Sequence, residues 1–142
     1  MSEVSTFKSR TGKLAGSAEN VFSFVSDIRN FKRFIPEGNV SDIKIEQDSC
    51  SFRMSMLGTV NIRIAERVPG SQILFSGNAL QLNDFSIILK IRNSGIGQSE
   101  ADIMLNAEMN PFLKMMAAEP VKKFLEILID EMEKFRDWNN II

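Results

Sequence analysis

The stretch NPFLKMMAAEPVKKFLEILIDEMEKFRDW, residues 110–138, decides the fold. Asn110 is a residue type that caps helices, and Pro111 suits the first helical position, so a helix is expected to begin here. The pattern predicts one helix of about 28 residues, roughly 42 Å long, that ends near Trp138. Apolar side chains recur at spacings of three and four along its second half and form one continuous stripe: Val121, Leu125, Leu128, Met132 and Phe135, widened by Phe124.

Pro120 lies inside this helix. It removes a backbone donor and crowds the turn that begins at Met116, so a kink is expected. The kink has two interpretations. It lets the helix follow a curved sheet, or it acts as a hinge beside a ligand-binding site.

Before this helix, between Val40 and Met109, the hydrophobic periodicity changes to two, which is typical of half-buried strands. Short spacers between like strands imply hairpins and an antiparallel meander with one apolar and one polar face. Gly77-Asn78 indicates a bulge or bend. The inward positions define six strands: Ile43 and Ile45; Cys50, Phe52, Met54 and Met56; Val60, Ile62 and Ile64; Ile73 and Phe75; Phe85, Ile87, Leu89 and Ile91; Ile103, Leu105, Ala107 and Met109. The expected turns fall at residues 47–49, 58, 69–71 and 93–95.

The first 39 residues predict one strand and two short helices. Residues 4–14 alternate as a strand does. Ser17 is suited to cap a helix over residues 18–28, and Asp27 to cap a second helical segment that stops before Pro36.

Together these elements predict an α+β fold in one domain, residues 1–142. A curved antiparallel sheet of about seven strands wraps around the long C-terminal helix, and two short helices follow the first strand. Hairpin-linked strands need a cover for their apolar face, and an amphipathic helix of this length supplies it.

Composition excludes several classes of function. Seventeen basic and 18 acidic residues give a net charge of −1, and the basic residues are scattered, so no nucleic-acid partner is expected. The sequence contains neither histidine nor tyrosine and only one cysteine, so no zinc site, hydrolytic triad or other cofactor site is predicted.

The sequence also carries expectations about location. Cys50 has no partner for a disulfide, the N-terminus lacks the apolar stretch of a signal peptide, and no transmembrane segment is found. A cytoplasmic location is expected.

The segment AENVFSFVSDIRNFKRFIPE, residues 18–37, resembles a pattern of the START-like, or helix-grip, superfamily (Bet v 1-like, SRPBCC), which includes the birch-pollen allergen and bacterial polyketide cyclases. The matching positions are Asp27, Phe34, Ile35 and Pro36. Residues 40–43, the strand over residues 50–56 and Leu57-Gly58 are similar to its quinone-binding branches, which include the coenzyme-Q-binding proteins and the small accessory subunit of carbon monoxide dehydrogenase. The sequence lacks the glycine-rich stretch expected of the latter.

This resemblance implies a cavity between the sheet and the long helix that holds lipids, sterols, polyketides or quinones. It therefore implies non-catalytic binding or transport of a small hydrophobic ligand. The residues that would line the cavity are Phe52, Met54, Met56, Ile62, Phe75, Phe85, Ile87, Leu89, Leu105 and Met109 from the strands, and Phe112, Met116 and Phe124 from the helix.

Two other classes of function stay open. The first is an enzyme of the polyketide cyclase or dehydratase type, although the missing histidine and tyrosine leave proton transfer to other groups. The second is a protein-partner module like the co-chaperone branch of the superfamily, which predicts a tightly packed interior and an exposed apolar patch. The candidate patch is Phe135, Trp138, Ile141 and Ile142, which could equally dock on the protein's own sheet or form a homodimer.

Individual side chains also have purely structural interpretations. The methionines of the predicted cavity wall, Met54 and Met116 among them, are also typical fillers of an irregular core. Cys50 is expected to be a buried structural thiol. Arg53 and Arg63 are expected on the solvent face of their strands.

Overall fold

The computed structural model describes residues 3–35, 40–54, 57–79 and 82–138. Eight strands, two short helices, one 3₁₀ turn and a long C-terminal helix occur in these ranges, as the α+β prediction requires. In chain order they are β1 (Glu3–Lys8), β2 (Gly12–Leu14), α1 (Ala18–Val25), α2 (Ile28–Phe31), the 3₁₀ turn (Lys32–Phe34), β3 (Val40–Ile45), β4 (Ser49–Met54), β5 (Gly58–Val68), β6 (Gln72–Ala79), β7 (Leu82–Gly95), β8 (Gln98–Met109) and α3 (Pro111–Lys134).

All eight strands belong to one antiparallel sheet with the order β1-β8-β7-β6-β5-β4-β3, and β2 also pairs with β8. The predicted meander from β3 to β8 is confirmed. The pairing register between β6 and β7 changes between Gly77 and Ala79, which confirms the predicted bulge. One apolar core lies between the sheet, the short helices and α3.

The predicted helix caps are confirmed. The Ser17 side chain accepts a hydrogen bond from the Asn20 amide at 3.1 Å, and Asn110 accepts one from the Leu113 amide at 2.8 Å. Asp27 accepts from the Arg29 amide at 2.9 Å and also pairs with the Arg29 guanidinium. Each cap satisfies a backbone donor that the first helical turn leaves free, so these helices begin where the sequence predicts.

The single strand expected over residues 4–14 is wrong in one respect, because it is interrupted after Lys8. Arg10 turns toward α3, where its amide donates to Glu126 at 3.0 Å and its guanidinium binds Asp130 and Glu133. The chain then rejoins β8 as β2, and the Lys13 amide donates to Glu133 at 2.8 Å. Acidic side chains of α3 therefore tie the helix to the first strands.

Replacing Glu133 with glutamine is expected to lower the free energy of unfolding at pH 7 by about 1 kcal/mol, since the pair is partly exposed. Hydrogen bonds from Arg10 and from the Lys13 amide lower the pKa of Glu133 from 4.5 to about 2. A carboxylate whose pKa is lower in the folded than in the unfolded state stabilises the folded state at pH values above its unfolded-state pKa. That contribution is lost as the pH falls from about 4.5 toward 2.

Urea unfolding of wild type and Glu133→Gln across this pH range checks the prediction, and the difference between them should shrink toward zero in acid. Glu131→Gln is the matched control, because Glu131 lies on the same helix and makes only a 3.6 Å pair with Lys134. A difference that does not change with pH would contradict the assignment.

The predicted end of α3 near Trp138 is wrong, because the helix ends at Lys134 and Phe135 is extended. The change of direction brings Trp138 against Phe24 and Phe34, with ring centroids 5.4 and 5.6 Å away. Trp138 is 0% exposed and Phe135 is half-buried. The hypothesis that these two residues form an exposed partner patch is therefore also wrong. Pro36, Ile141 and Ile142 lie outside the described residues.

The reversal expected at residues 93–95 lies slightly later. Strand β7 continues to Gly95, and Ile96-Gly97 forms the turn into β8. Gly97 has a φ of +68°, a conformation that glycine adopts without strain. In the part of the chain that the structure describes, no helix is both long enough and apolar enough to span a membrane.

Candidate functional site

An apolar cavity of about 60 Å³ lies between the sheet and the helical layer. Strands β4 to β8 contribute one wall, and α2, the residue after the 3₁₀ turn and the middle of α3 contribute the other. All of its described lining is carbon except for one thiol. The lining residues are Ile28, Phe31, Ile35, Cys50, Phe52, Ile62, Phe75, Ile87, Leu89, Ile103, Phe124, Leu125 and Leu128.

Aromatic rings make up part of both walls. Phe52 of the sheet stacks on Phe124 of α3 with ring centroids 6.1 Å apart, and Phe31 of α2 meets Phe75 edge to face at 6.3 Å. Phe31 and Phe124 are half-buried, whereas Phe52 and Phe75 are buried. Half-buried side chains therefore occur on both walls, because Cys50, Ile62 and Ile87 of the sheet are half-buried too.

Cys50 is half-buried and contributes the sulfur of the lining. Burial raises the pKa of its thiol to about 11, because the thiolate is poorly solvated there. The thiol is therefore neutral near pH 7 and is not activated as a nucleophile. This agrees with the prediction of a structural cysteine.

The structure brings together about half of the residues predicted to line a cavity: Phe52, Ile62, Phe75, Ile87, Leu89 and Phe124. Four others are buried in the same core but not in the cavity lining: Met54, Phe85, Leu105 and Met109. Phe112 and Met116 lie at the start of α3, where 68% and 41% of each residue is exposed. Met56 lies outside the described residues.

Sequence reasoning missed the contribution of the short helices to this cavity. Ile28 and Phe31 come from α2, and Ile35 follows the 3₁₀ turn. Their signal was present, because the segment carries apolar residues at helical spacing. Which side of the sheet the segment covers depends on tertiary packing, and the periodicity does not contain that information.

A wider groove of about 490 Å³ runs across β3 to β7 and is lined mainly by polar residues, and it shares Cys50 and Ile62 with the cavity. Ser51, Asn61 and Ser76 contribute small polar side chains along it, with Lys44 and Arg63 among its charged residues. Arg53 and Arg63 are exposed, which confirms their predicted position. No group of three potential metal ligands occurs among the described residues.

No protein-family model matches the sequence, and neither does any curated protein. The fold does match solved structures. A point mutant of norcoclaurine synthase from Thalictrum flavum, in complex with a transition-state analogue, superposes with a TM-score of 0.73 at 10% identity, over 94% of each chain. Protein CV1439 from Chromobacterium violaceum gives 0.65 at 16% identity, over 93% of this chain and 98% of that one. A START superfamily protein from Mycobacterium smegmatis gives 0.64 at 15% identity, over 92% and 97%. Similarities at this level of identity establish a shared fold.

Proposed function

Because the chain has the helix-grip fold of the START and Bet v 1-like proteins, we propose that it binds or transports a small hydrophobic molecule without transforming it. The observation that carries the proposal is the apolar cavity between β4–β8 and α3. Affinity at such a site comes from burial of the ligand's apolar surface. Lipids, quinones and polyketide-like molecules all have the chemistry that this lining accepts.

The character of the lining supports binding over catalysis. A catalyst of proton transfer needs an ionisable group within hydrogen-bond reach of the substrate. The only titratable side chain in the described lining is Cys50, and burial raises its pKa to about 11. This observation favours a carrier over an enzyme of the cyclase type.

The volume of the cavity constrains how binding would occur. Ligand pockets usually enclose about 300–1,000 Å³, several times the 60 Å³ found here. A quinone or a lipid therefore requires one wall to move. Phe31 and Phe124 are the candidates, because both line the cavity from the helical layer and are only half-buried.

The test is native mass spectrometry, with lipid extraction, of the protein purified from its own host. We expect a co-purifying hydrophobic molecule. A wild-type protein that gives only its own mass under these gentle conditions would contradict the proposal.

A pair of variants assigns any bound molecule to the cavity. Ile62→Phe fills part of the lining and is expected to reduce ligand occupancy at least about tenfold, at a stability cost of about 1–3 kcal/mol. Ile64→Phe is the matched control: Ile64 is also half-buried on β5 and packs against the core, but it does not line the cavity. Equal occupancy in both variants would place the ligand elsewhere.

A further inference from the structure

An exposed apolar patch lies on the first turns of α3. It consists of Phe112, Met115 and Met116, which are 68%, 70% and 41% exposed. Their spacing of three and four residues places them on one face of the helix. That face points away from the core, which the same helix contacts through Ala117 and Val121. We call these three residues the α3 patch.

Basic side chains lie close to the α3 patch. Lys122 and Lys123 follow Met115 and Met116 by seven residues and share their face of the helix. Glu119 lies on that face between them, whereas Lys114 lies on the other side of the helix. Lys114, Lys122 and Lys123 are exposed, and none of them forms an ion pair with any residue that the structure describes. Residues 111–125 contain three lysines and a single acidic residue, Glu119, so this segment is positive in a chain whose net charge is −1. The helical segment that carries the apolar patch therefore has a net positive charge.

Among the residues that the structure describes, none buries the α3 patch. Within residues 111–120, only Ala117 is buried, and Leu113, Ala118 and Pro120 are half-buried. Exposing a phenylalanine and two methionines together is unfavourable in water, and an exposed apolar cluster typically marks an interaction surface.

We propose that the α3 patch docks the protein onto a membrane surface that contains anionic lipid. Phe112, Met115 and Met116 would enter the boundary between headgroups and acyl chains, and Lys122 and Lys123 would lie near lipid phosphates. The charges disfavour a second copy of this chain. In a twofold interface the patch would face itself, and each copy would add its exposed Lys122 and Lys123 to the same interface, where like charges repel. The inference goes beyond the proposed function and does not depend on an occupied cavity.

The test is co-sedimentation with vesicles of phosphatidylcholine alone, or of phosphatidylcholine with about 30% phosphatidylglycerol. We expect binding to the anionic vesicles and weaker binding to the neutral ones. Phe112→Gln combined with Met115→Gln is expected to reduce the affinity for anionic vesicles at least about tenfold. Lys122→Gln combined with Lys123→Gln is expected to reduce it by a similar factor and to weaken its salt dependence.

Ile96→Gln is the matched control, because Ile96 is also a fully exposed apolar side chain but lies in the turn between β7 and β8. Its affinity for vesicles should equal that of the wild type. Absence of vesicle binding, equal affinity for both vesicle types, or unchanged binding by the Phe112/Met115 double variant would overturn the proposal. The proposal would also be overturned if analytical ultracentrifugation showed that the wild type is a dimer and that the Phe112/Met115 double variant is a monomer. Ligand occupancy by native mass spectrometry is read separately, so failure here does not count against the cavity.

Discussion

Replacing Trp138 with alanine is expected to lower the free energy of unfolding by about 3–5 kcal/mol, which is the usual cost of deleting a large buried aromatic side chain. Trp138 is 0% exposed. The centroid of the Trp138 ring lies 4.9 Å from that of the Phe135 ring. The Trp138 ring also packs against Phe24 and Phe34. The four rings join the C-terminal segment to α1 and the 3₁₀ turn, so the alanine variant loses the packing that holds three parts of the chain together.

Urea unfolding monitored by circular dichroism measures this effect. Trp138→Phe is the matched variant, and we expect it to cost much less than the alanine variant, because it keeps an aromatic ring in the same space. Gly16→Ala tests the contact from the other side, since a β-carbon at Gly16 would lie 2.8 Å from three Trp138 atoms. A Trp138→Ala variant that loses less than about 1 kcal/mol would show that the C-terminal segment contributes little to the core.

Local chemistry made several elements predictable from sequence. Ser17, Asp27 and Asn110 satisfy helical donors within their own turn, so their effect depends on neighbours two or three residues away. The alternation along β4 and β5 likewise predicts which side chains face the core, because the strand period is fixed by backbone geometry. These features are the reason that the order of elements was correct.

The interruption of the first strand depends on contacts between residues far apart in sequence. Arg10 leaves the sheet to reach acidic groups on α3 that lie more than one hundred residues later. The charge pattern of α3 predicts a polar face, but not the residue that pairs with it. The same limit explains the end of α3, where burial of Trp138 against α1 outweighs continued helical hydrogen bonding.

The residues of the candidate site were also predictable only in part. Alternation placed Phe52 and Ile87 on the inner face of the sheet, because one face of a strand must be buried. That these residues would line a cavity was implied by the family resemblance, and both do so. The helical wall was predicted less well. The first fully buried residue of α3 is Ala117, so Phe112 and Met116 precede the fully buried stretch of the helix. Apolar character alone therefore did not distinguish a cavity wall from an exposed surface.

Leu125→Ala is expected to enlarge the cavity and to create binding of a small hydrocarbon such as toluene. Leu125 is fully buried and lines the cavity from α3, so its truncation adds space directly to the existing 60 Å³. The stability cost should be about 2–5 kcal/mol. Apolar cavities of about 150 Å³ stay dry and bind benzene, so the enlarged space should accept an aromatic ring.

The matched control is Ile129→Ala, because Ile129 is equally buried on the same helix but does not line the cavity. Both variants should lose comparable stability, whereas toluene should raise the melting temperature of Leu125→Ala alone. Ligand that binds only the folded state stabilises it by mass action, so the shift should grow with toluene concentration. An equal shift in both variants would mean that toluene enters a space other than this cavity. A shift confined to Leu125→Ala would identify cavity volume as the limit on ligand size, and would imply that any larger natural ligand binds only when one wall of the cavity moves.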